Sequence, residues 1–323
     1  MLAAAGVPLE RKGMALGFRV EHPQAHINRL SYGPELAWAV RTGKARTDEL
    51  NAASNPPPPP PGGAADSAGG AAAAAAGRAA RLEGKLPVAS YRLAASVAAG
   101  GAERGAYSFC MCPGGQIVPS STEPGELCVN GMSFSRRDSV WANAALVVSV
   151  PPDDPALAEY EAEHGVLAGM AFQREIERRA FAMGGGDMTC PVQRVPDFLA
   201  RRPSRSAPSS SYRLGVRPGV PCHELYPRAL TDALAEAIET EFERAMPGFV
   251  CDDALLHAVE TRTSAPLRVP RDDATLQSPG VRALFPAGEG AGYAGGIVSA
   301  ACDGMRVARA VVDALALAAG PTP

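Results

Sequence analysis

The sequence of 323 residues has no surplus of positive charge, no long apolar run and few aromatic side chains, and each shortage removes a class of function. Lys and Arg number 31 against 34 Asp and Glu, a formal net charge of −3, which leaves no basic field to hold a nucleic-acid backbone. The most apolar stretch, Val311 to Ala319, is broken by Asp313 and falls short of the roughly 18 residues a membrane helix needs, so a protein in solution is expected. Seven cysteines are too few, too scattered and odd in number to staple a chain of this length. They point to a reducing compartment, the cytoplasm or an organellar stroma or matrix. No Cys-x-x-Cys pair occurs, and Cys110-x-Cys112 has no second pair at zinc-site spacing. The opening MLAAAGVPLERKG holds neither the apolar core of a secretory signal nor the bias of a transit peptide, and reads like the middle of a domain.

What is present suffices for a core. Hydrophobic residues make up 46% and charged ones 20%, the balance of a globular chain of one or two domains. Gly (34) and Pro (30) are abundant, partly because Asn55 to Gly77 collapses into six prolines, paired glycines and six alanines. Such a stretch buries too little apolar surface to offset its ordering entropy, so residues 52–84 are predicted to be a disordered insertion. Short β-like runs at Leu16 to Glu21, Ala106 to Cys110, Gln116 to Pro119, Leu127 to Asn130 and Ala145 to Val150, separated by PGG, EPGE and NG, predict a mixed or antiparallel sheet. HPQAHINRLSYG reads as turn-rich, and Pro196 to Gly219 as an Arg-, Ser- and Pro-rich loop. Phe172, Ile176, Ala180 and Met183 recur at helical spacing before Gly184–Gly186, and a second helical stripe runs from Leu230 to Ala245.

The last fifth carries the most chemical information. An apolar run, Ala283 to Ala287, precedes five glycines (Gly288, Gly290, Gly292, Gly295, Gly296), and a helical pattern follows in which Ile297, Ala300, Ala301, Met305, Ala308, Val312 and Leu315 share a face. Strand, glycine turn, helix aims backbone N–H groups and the positive end of a helix dipole at an anion such as a pyrophosphate. Gly290-x-Gly292-x-x-Gly295 cannot open a dinucleotide fold, because too few residues remain for its second strand and ribose-binding acid. It therefore reads as the closing strand and helix of a nucleotide-binding domain.

FPAGEGAGYAGGIVSAACDGMRVA resembles the closing motif of the FAD-dependent dehydrogenases whose carboxy-terminal region is called the FAD-dependent protein C-terminal domain. GFRVEHPQ with INRLSYG, YSFCMCPGGQIV, NGMSFSRRD, ANAALVVSV, FQREIERRAFAMGGGDMTCPVQRVPDFL and ETRTSAPLRV are similar to the same family in order. The resemblance implies an α/β chain, α+β overall: an incomplete Rossmann-like FAD domain (1–21 and 266–323) with an inserted mixed β domain carrying helices (22–265). It implies FAD as cofactor, NAD(P)H as a candidate electron donor, and Gly288, Glu289, Gly290, Gly292, Tyr293, Gly295, Gly296 and Ile297 at the flavin, with Glu289 toward the ribityl chain. The family's amino-terminal glycine-rich unit has no counterpart before Gly17, so an incomplete or split product holding half of a FAD site is expected, with a separate flavin-domain chain as partner.

Three residues are candidates for chemistry. Cys112, beside PGG, is either a redox or proton-donating thiol or simply a buried one. His22 in EHPQ either reaches a small-molecule substrate or is structural. Arg262 beside Ser264 either holds an anionic group or pairs with Glu260. Asp303, in mid-helix, reads as a capping carboxylate, and Arg201, Arg202, Arg205, Arg213 and Arg217 as a solvated loop. Two rival functions are a non-catalytic module that folds without flavin and a flavin-dependent RNA-modifying protein, the latter disfavoured by the acidic balance.

Overall fold

The structure is a computed structural model and describes residues 2–34, 36–37, 40, 86–99 and 102–319; the expected insertion at 52–84 lies outside them. It is a mixed α/β fold that divides into two compact units. Unit 1 comprises Met1–Leu16, Ser149–Ile176 and Thr261–Pro323; unit 2 comprises Gly17–Val148 and Glu177–Glu260. No helix among the described residues is long and apolar enough to cross a membrane.

Unit 2 is built on a sheet of seven strands. Numbered along the chain, after β1 (Glu10–Arg11), these are β2 (Met14–Pro23), β3 (Ala94–Ala99), β4 (Ala102–Cys112), β7 (Trp141–Val150), β8 (Cys190–Arg194), β9 (Val216–Arg217) and β10 (Leu255–Glu260). Their order is β3-β4-β7-β2-β10-β8-β9. The pairs β3/β4, β4/β7, β2/β10 and β10/β8 are antiparallel, and β8/β9 is parallel. A hairpin of β5 (Gly115–Pro119) and β6 (Val129–Ser133) forms a separate two-stranded sheet whose β6 packs against β4 and β10. The central strands β2, β7 and β10 are buried on both faces, which is why they read as continuous apolar runs rather than alternating ones. Phe18 of β2 meets Phe198 and Tyr226 edge-on at 5.4 and 5.3 Å. The Tyr226 hydroxyl donates to the Gly17 carbonyl at 2.6 Å.

Helices form where the stripes predict them, and two more form where a turn region and a loop were expected. The expected turn region is α1 (Gln24–Tyr32), because Pro23 at the N-cap can only start a helix and Gly33 at positive φ ends it. In the α2 (Ala158–His164) and α3 (Ala168–Gly184) region, Tyr160 packs edge-on against Phe172. Gly185 and Gly186, both at positive φ, close α3 by donating to the Ala182 and Phe181 carbonyls. The loop expected from Pro196 holds a short α4 (Val195–Leu199). The second stripe is α5 (Arg228–Glu236), continued by a π-helical turn, Ala237–Phe242, and by Glu243–Ala245. Leu230, Ala233, Leu234, Ala237, Ile238 and Phe242 are buried, and this segment packs on β3.

In unit 1, β1 pairs antiparallel with β11 (Leu267–Arg268), and Val7, Val269 and Ala291 form a small core joined by Leu9, Val281, Leu284 and Tyr293. The final element is α6 (Ile297–Ala319). The strand expected over 283–287 does not form. Ala283 has a φ of 62°, Leu284 donates back to Val281, Ser278 donates to the Leu284 carbonyl, and Pro286 has no N–H for a ladder. An apolar run without a neighbouring strand stays irregular.

Candidate functional site

The glycine segment in unit 1 is held in shape by a side-chain clamp. Arg271 donates to both carboxylate oxygens of Asp303 in α6, at 3.0 and 2.7 Å, and to the Pro286 carbonyl at 2.7 Å. Its guanidinium lies 3.7 Å from the Tyr293 ring centroid, and its backbone N–H donates to the Tyr293 hydroxyl. Asp303 accepts a third bond, from the Gly288 N–H at 2.8 Å, and these donors, Arg271 first, hold its carboxyl below the usual range. Asp303 is thus a capping carboxylate of the loop.

Individual glycines have different duties. Gly292, at a φ of 86°, would place a Cβ 2.5 Å from the Leu267 carbonyl, so only glycine permits the approach of the two segments. The amides of Gly288, Gly292 and Tyr293 are occupied, by Asp303 and by the Glu289 and Gly288 carbonyls respectively. A Cβ at Gly290 or Gly295 would meet nothing within 4 Å, and one at Gly296 only the Ser299 hydroxyl at 3.7 Å. The open side of the loop therefore consists of Gly290, Gly295, Gly296 and the first turn of α6, which Ile297 begins with its side chain in solvent. Glu289 is exposed on the same loop.

Unit 2 contains a second constellation, centred on Arg19. Its fully buried guanidinium donates to Asn143 Oδ1 (2.7 Å), Asn130 Oδ1 (3.0 Å), Glu260 Oε2 (3.0 Å), the Cys110 carbonyl (2.6 Å) and Cys112 Sγ (3.4 Å). The Cys112 thiol donates to the Cys110 carbonyl at 3.3 Å. A bulge in β4 between Phe109 and Cys112, with Cys110 at a φ of 44°, turns that carbonyl toward the guanidinium. Burial raises the Glu260 carboxyl, and the Arg19 charge opposes the shift. Gln24 accepts from the Gly114 N–H at 2.6 Å, while a Cβ at Gly114 would collide with the Arg137 backbone. A Cβ at Gly131 would collide with Asn143 and Arg19 themselves. Tyr91 Oη and Asn143 Nδ2 are buried and, among the described residues, have no hydrogen-bond partner. Burial raises the Tyr91 hydroxyl, and both Arg19 and Cys112 act on it electrostatically.

The predicted catalytic residues are distributed unevenly. Cys112 is buried in the Arg19 cluster. His22 is fully buried, bonds the Phe249 carbonyl through Nε2 at 2.8 Å, and packs 4.7 Å from the Phe249 ring. Burial lowers its pKa to about 4, so it is neutral in the physiological range. Arg262 belongs to unit 1 and lies half-buried between Thr261, whose carbonyl accepts from Gln173, and Thr263, whose hydroxyl donates to the Ala15 carbonyl. Arg19, Glu260, Asn130 and Asn143 went unrecognised as a group in the sequence. The signal was present as opposite charges inside two apolar runs, GFRVE and LLHAVE.

These residues come from segments that are far apart in the chain. GFRVEHPQ supplies Arg19 and Gln24, YSFCMCPGGQIV supplies Cys110, Cys112 and Gly114, NGMSFSRRD supplies Asn130, Gly131 and Arg137, ANAALVVSV supplies Asn143, and ETRTSAPLRV begins at Glu260. Residues 75–263 match the family described as FAD-dependent protein, C-terminal domain-like, and this range contains Cys112, Asn130, Asn143 and Glu260. An uncharacterised protein of Clostridium beijerinckii is 38% identical over 315 residues, which are 97% of this chain and 49% of that protein. The chain thus spans about half the length of this relative. With more than half its residues matched, the chain belongs to the family of FAD-dependent proteins defined by that C-terminal domain.

Proposed function

We propose that this chain is the carboxy-terminal, substrate-facing portion of a FAD-dependent oxidoreductase and supplies half of the flavin site. The observation that carries this reading is the open edge of the glycine loop, where side chains are absent at Gly290, Gly295 and Gly296 and the clamp of Asp303 and Arg271 fixes the backbone. Backbone amides there and the N-terminus of α6 would face an anionic diphosphate, and Glu289 would accept from ribityl hydroxyls. Gly292 supports the loop, and Gly288 gives its amide to Asp303, so neither contributes an amide to the anion. When bound, the isoalloxazine supplies hydride or electron transfer, with NAD(P)H a suitable donor.

In unit 2, the Cys112 thiol is the group fitted to hold or release a proton at Sγ, fixed by its bond to the Cys110 carbonyl and by Arg19 Nη2. The buried donors Asn143 Nδ2 and Tyr91 Oη suit a small substrate bearing an acceptor oxygen. His22, neutral and bonded to a carbonyl, is assigned to positioning, and Arg262 to an anionic group. The rival reading, a non-catalytic module, draws on the irregular backbone at 283–287 in front of the loop.

A titration of FAD followed by absorbance near ~450 nm separates the two readings. Saturable binding by this chain, alone or with a separate flavin-domain chain, that is lost in Gly290→Val is the expected result. A preparation that stays colourless in both settings removes the flavin reading and leaves the module.

A further inference from the structure

Segment 204–212 of unit 2 is fastened to the sheet strands at two buried titratable groups. Glu21 on β2 accepts from the Ser211 amide at 3.0 Å and from the Ser211 hydroxyl, and the Ser210 hydroxyl also donates to it. His257 on β10 meets the Ser210 hydroxyl through Nε2 at 2.7 Å. That hydroxyl accepts from the Tyr212 amide at 3.1 Å, and the Ser211 hydroxyl accepts from the Ile117 amide at 2.8 Å. His257 Nε2 and Glu21 Oε2 are 3.9 Å apart, so Ser210, not a direct bond, joins them. The charges around the pair argue against ionising either member. Arg19, two residues from Glu21 and opposite His257 in register, acts on both but already has Glu260 as counter-ion at 3.0 Å. On β8 the Cys190 thiol is neutral, because burial raises it. An imidazolium at His257 would bury an N–H at Nδ1, an atom with no hydrogen bond among the described residues. A Glu21 anion beside a neutral imidazole would be a buried charge without a counter-ion of its own. The arrangement that buries no further charge has the carboxyl protonated and the imidazole neutral.

We propose that Glu21, Ser210 and His257 form a neutral lock for segment 204–212, holding one proton on Glu21, and that the pair cancels the pH dependence each member alone would impose on the segment. Burial acts in this sense on both residues. It raises Glu21 from 4.5 to about 7 against the bonds from Ser211 and Ser210, and lowers His257 from 6.5 to about 4 against the Leu255 and Arg19 carbonyls. When the segment lifts and water reaches the site, Glu21 gives up its proton and His257 takes one. Between pH 4.5 and 6.5 the lifted form therefore also holds one proton, on the imidazole, and lifting neither binds nor releases any. A buried Glu alone would let the segment loosen as pH rises toward 7. A buried His alone would let it loosen as pH falls toward 4. Together they keep it fastened evenly across that range, and this holds whether or not the chain binds a flavin.

Hydrogen exchange at the Ser211 and Tyr212 amides, which donate into the lock, reads the lifting of the segment in the full chain. After correction for intrinsic exchange, their protection in the parent chain is expected to vary by no more than roughly threefold from pH 5 to 8. In Glu21→Gln the same amides should open roughly 30-fold more at pH 5 than at pH 8, and in His257→Gln roughly 70-fold less. A drift of tenfold or more in the parent, or variant profiles as flat as the parent's, would overturn the proposal. If circular dichroism shows that a variant does not fold, the parent chain decides alone. There, ¹³C NMR of the Glu21 carboxyl and ¹⁵N NMR of the His257 ring at about pH 5.5 are expected to show a protonated acid beside a neutral imidazole. An ionised carboxyl or an imidazolium at that pH would overturn the lock.

Discussion

A buried guanidinium is costly unless its hydrogen-bonding groups are met, and Arg19 on β2 meets them with five partners from strands β4, β6, β7 and β10. Removing it leaves the Glu260 carboxylate buried without its counter-charge. Arg19→Met is therefore expected to lose about 3–5 kcal/mol in urea unfolding, and Arg19→Met with Glu260→Met to recover much of that loss. If the double variant is as unstable as the single, the dominant role of Arg19 lies with Cys110, Asn130 and Asn143 rather than with the ion pair. The sequence displays this residue as one charge among apolar neighbours, and nothing local says what it binds, since each partner is at least 91 positions away. Cys112, by contrast, was legible as a special position, because the PGG that follows it announces a turn requiring positive φ at Gly114.

At the scale of elements, local pattern succeeded where packing and pattern agree. Runs such as Ala145 to Val150 and stripes such as Phe172, Ile176 and Ala180 became strand and helix because their apolar atoms face a core. Failure came where a neighbour decides. The run 283–287 has strand composition without a strand beside it, and α1 hides behind Pro23 with too weak an apolar face to be read. The glycine loop was legible as a unit, but not the division of labour within it. That division is testable by unfolding. Gly292→Ala is expected to cost about 1–3 kcal/mol through its collision with Leu267 and its positive φ, whereas Gly290→Ala stays within about 0.5 kcal/mol. Asp303→Ala removes charge-assisted bonds to Arg271 and Gly288 and is expected to lose about 1.5–3 kcal/mol, with faster hydrogen exchange at the Gly288 amide.

For the whole molecule, three buried titratable groups in unit 2 set opposing pH dependences. Burial raises Glu21 from 4.5 to about 7, despite bonds from the Ser211 amide and hydroxyl and the charge of Arg19, with His257 Nε2 at 3.9 Å. The folded state then holds an extra proton between those values, so the stability present below pH 4.5 is lost as pH rises to about 7, on the order of 3 kcal/mol. His22 and His257 are lowered from 6.5 to about 4, which gives stability above pH 6.5 that is lost on acidification toward 4. Glu21→Gln isolates the first contribution. Relative to the parent chain, it should be more stable at pH 8 by on the order of 3 kcal/mol, with the advantage shrinking toward zero near pH 4.5. A constant difference across urea titrations from pH 4.5 to 8 would show that Glu21 is ionised throughout.

Cys110 differs from its neighbour Cys112 in being exposed, while its own carbonyl is bonded to the deepest cation of the sheet. A dye coupled to that sulfur would sit in water yet be joined through a single peptide unit to the interior. Its emission would make Cys110 a reporter for any occupant that disturbs Arg19, turning an inaccessible cluster into one that can be followed from outside.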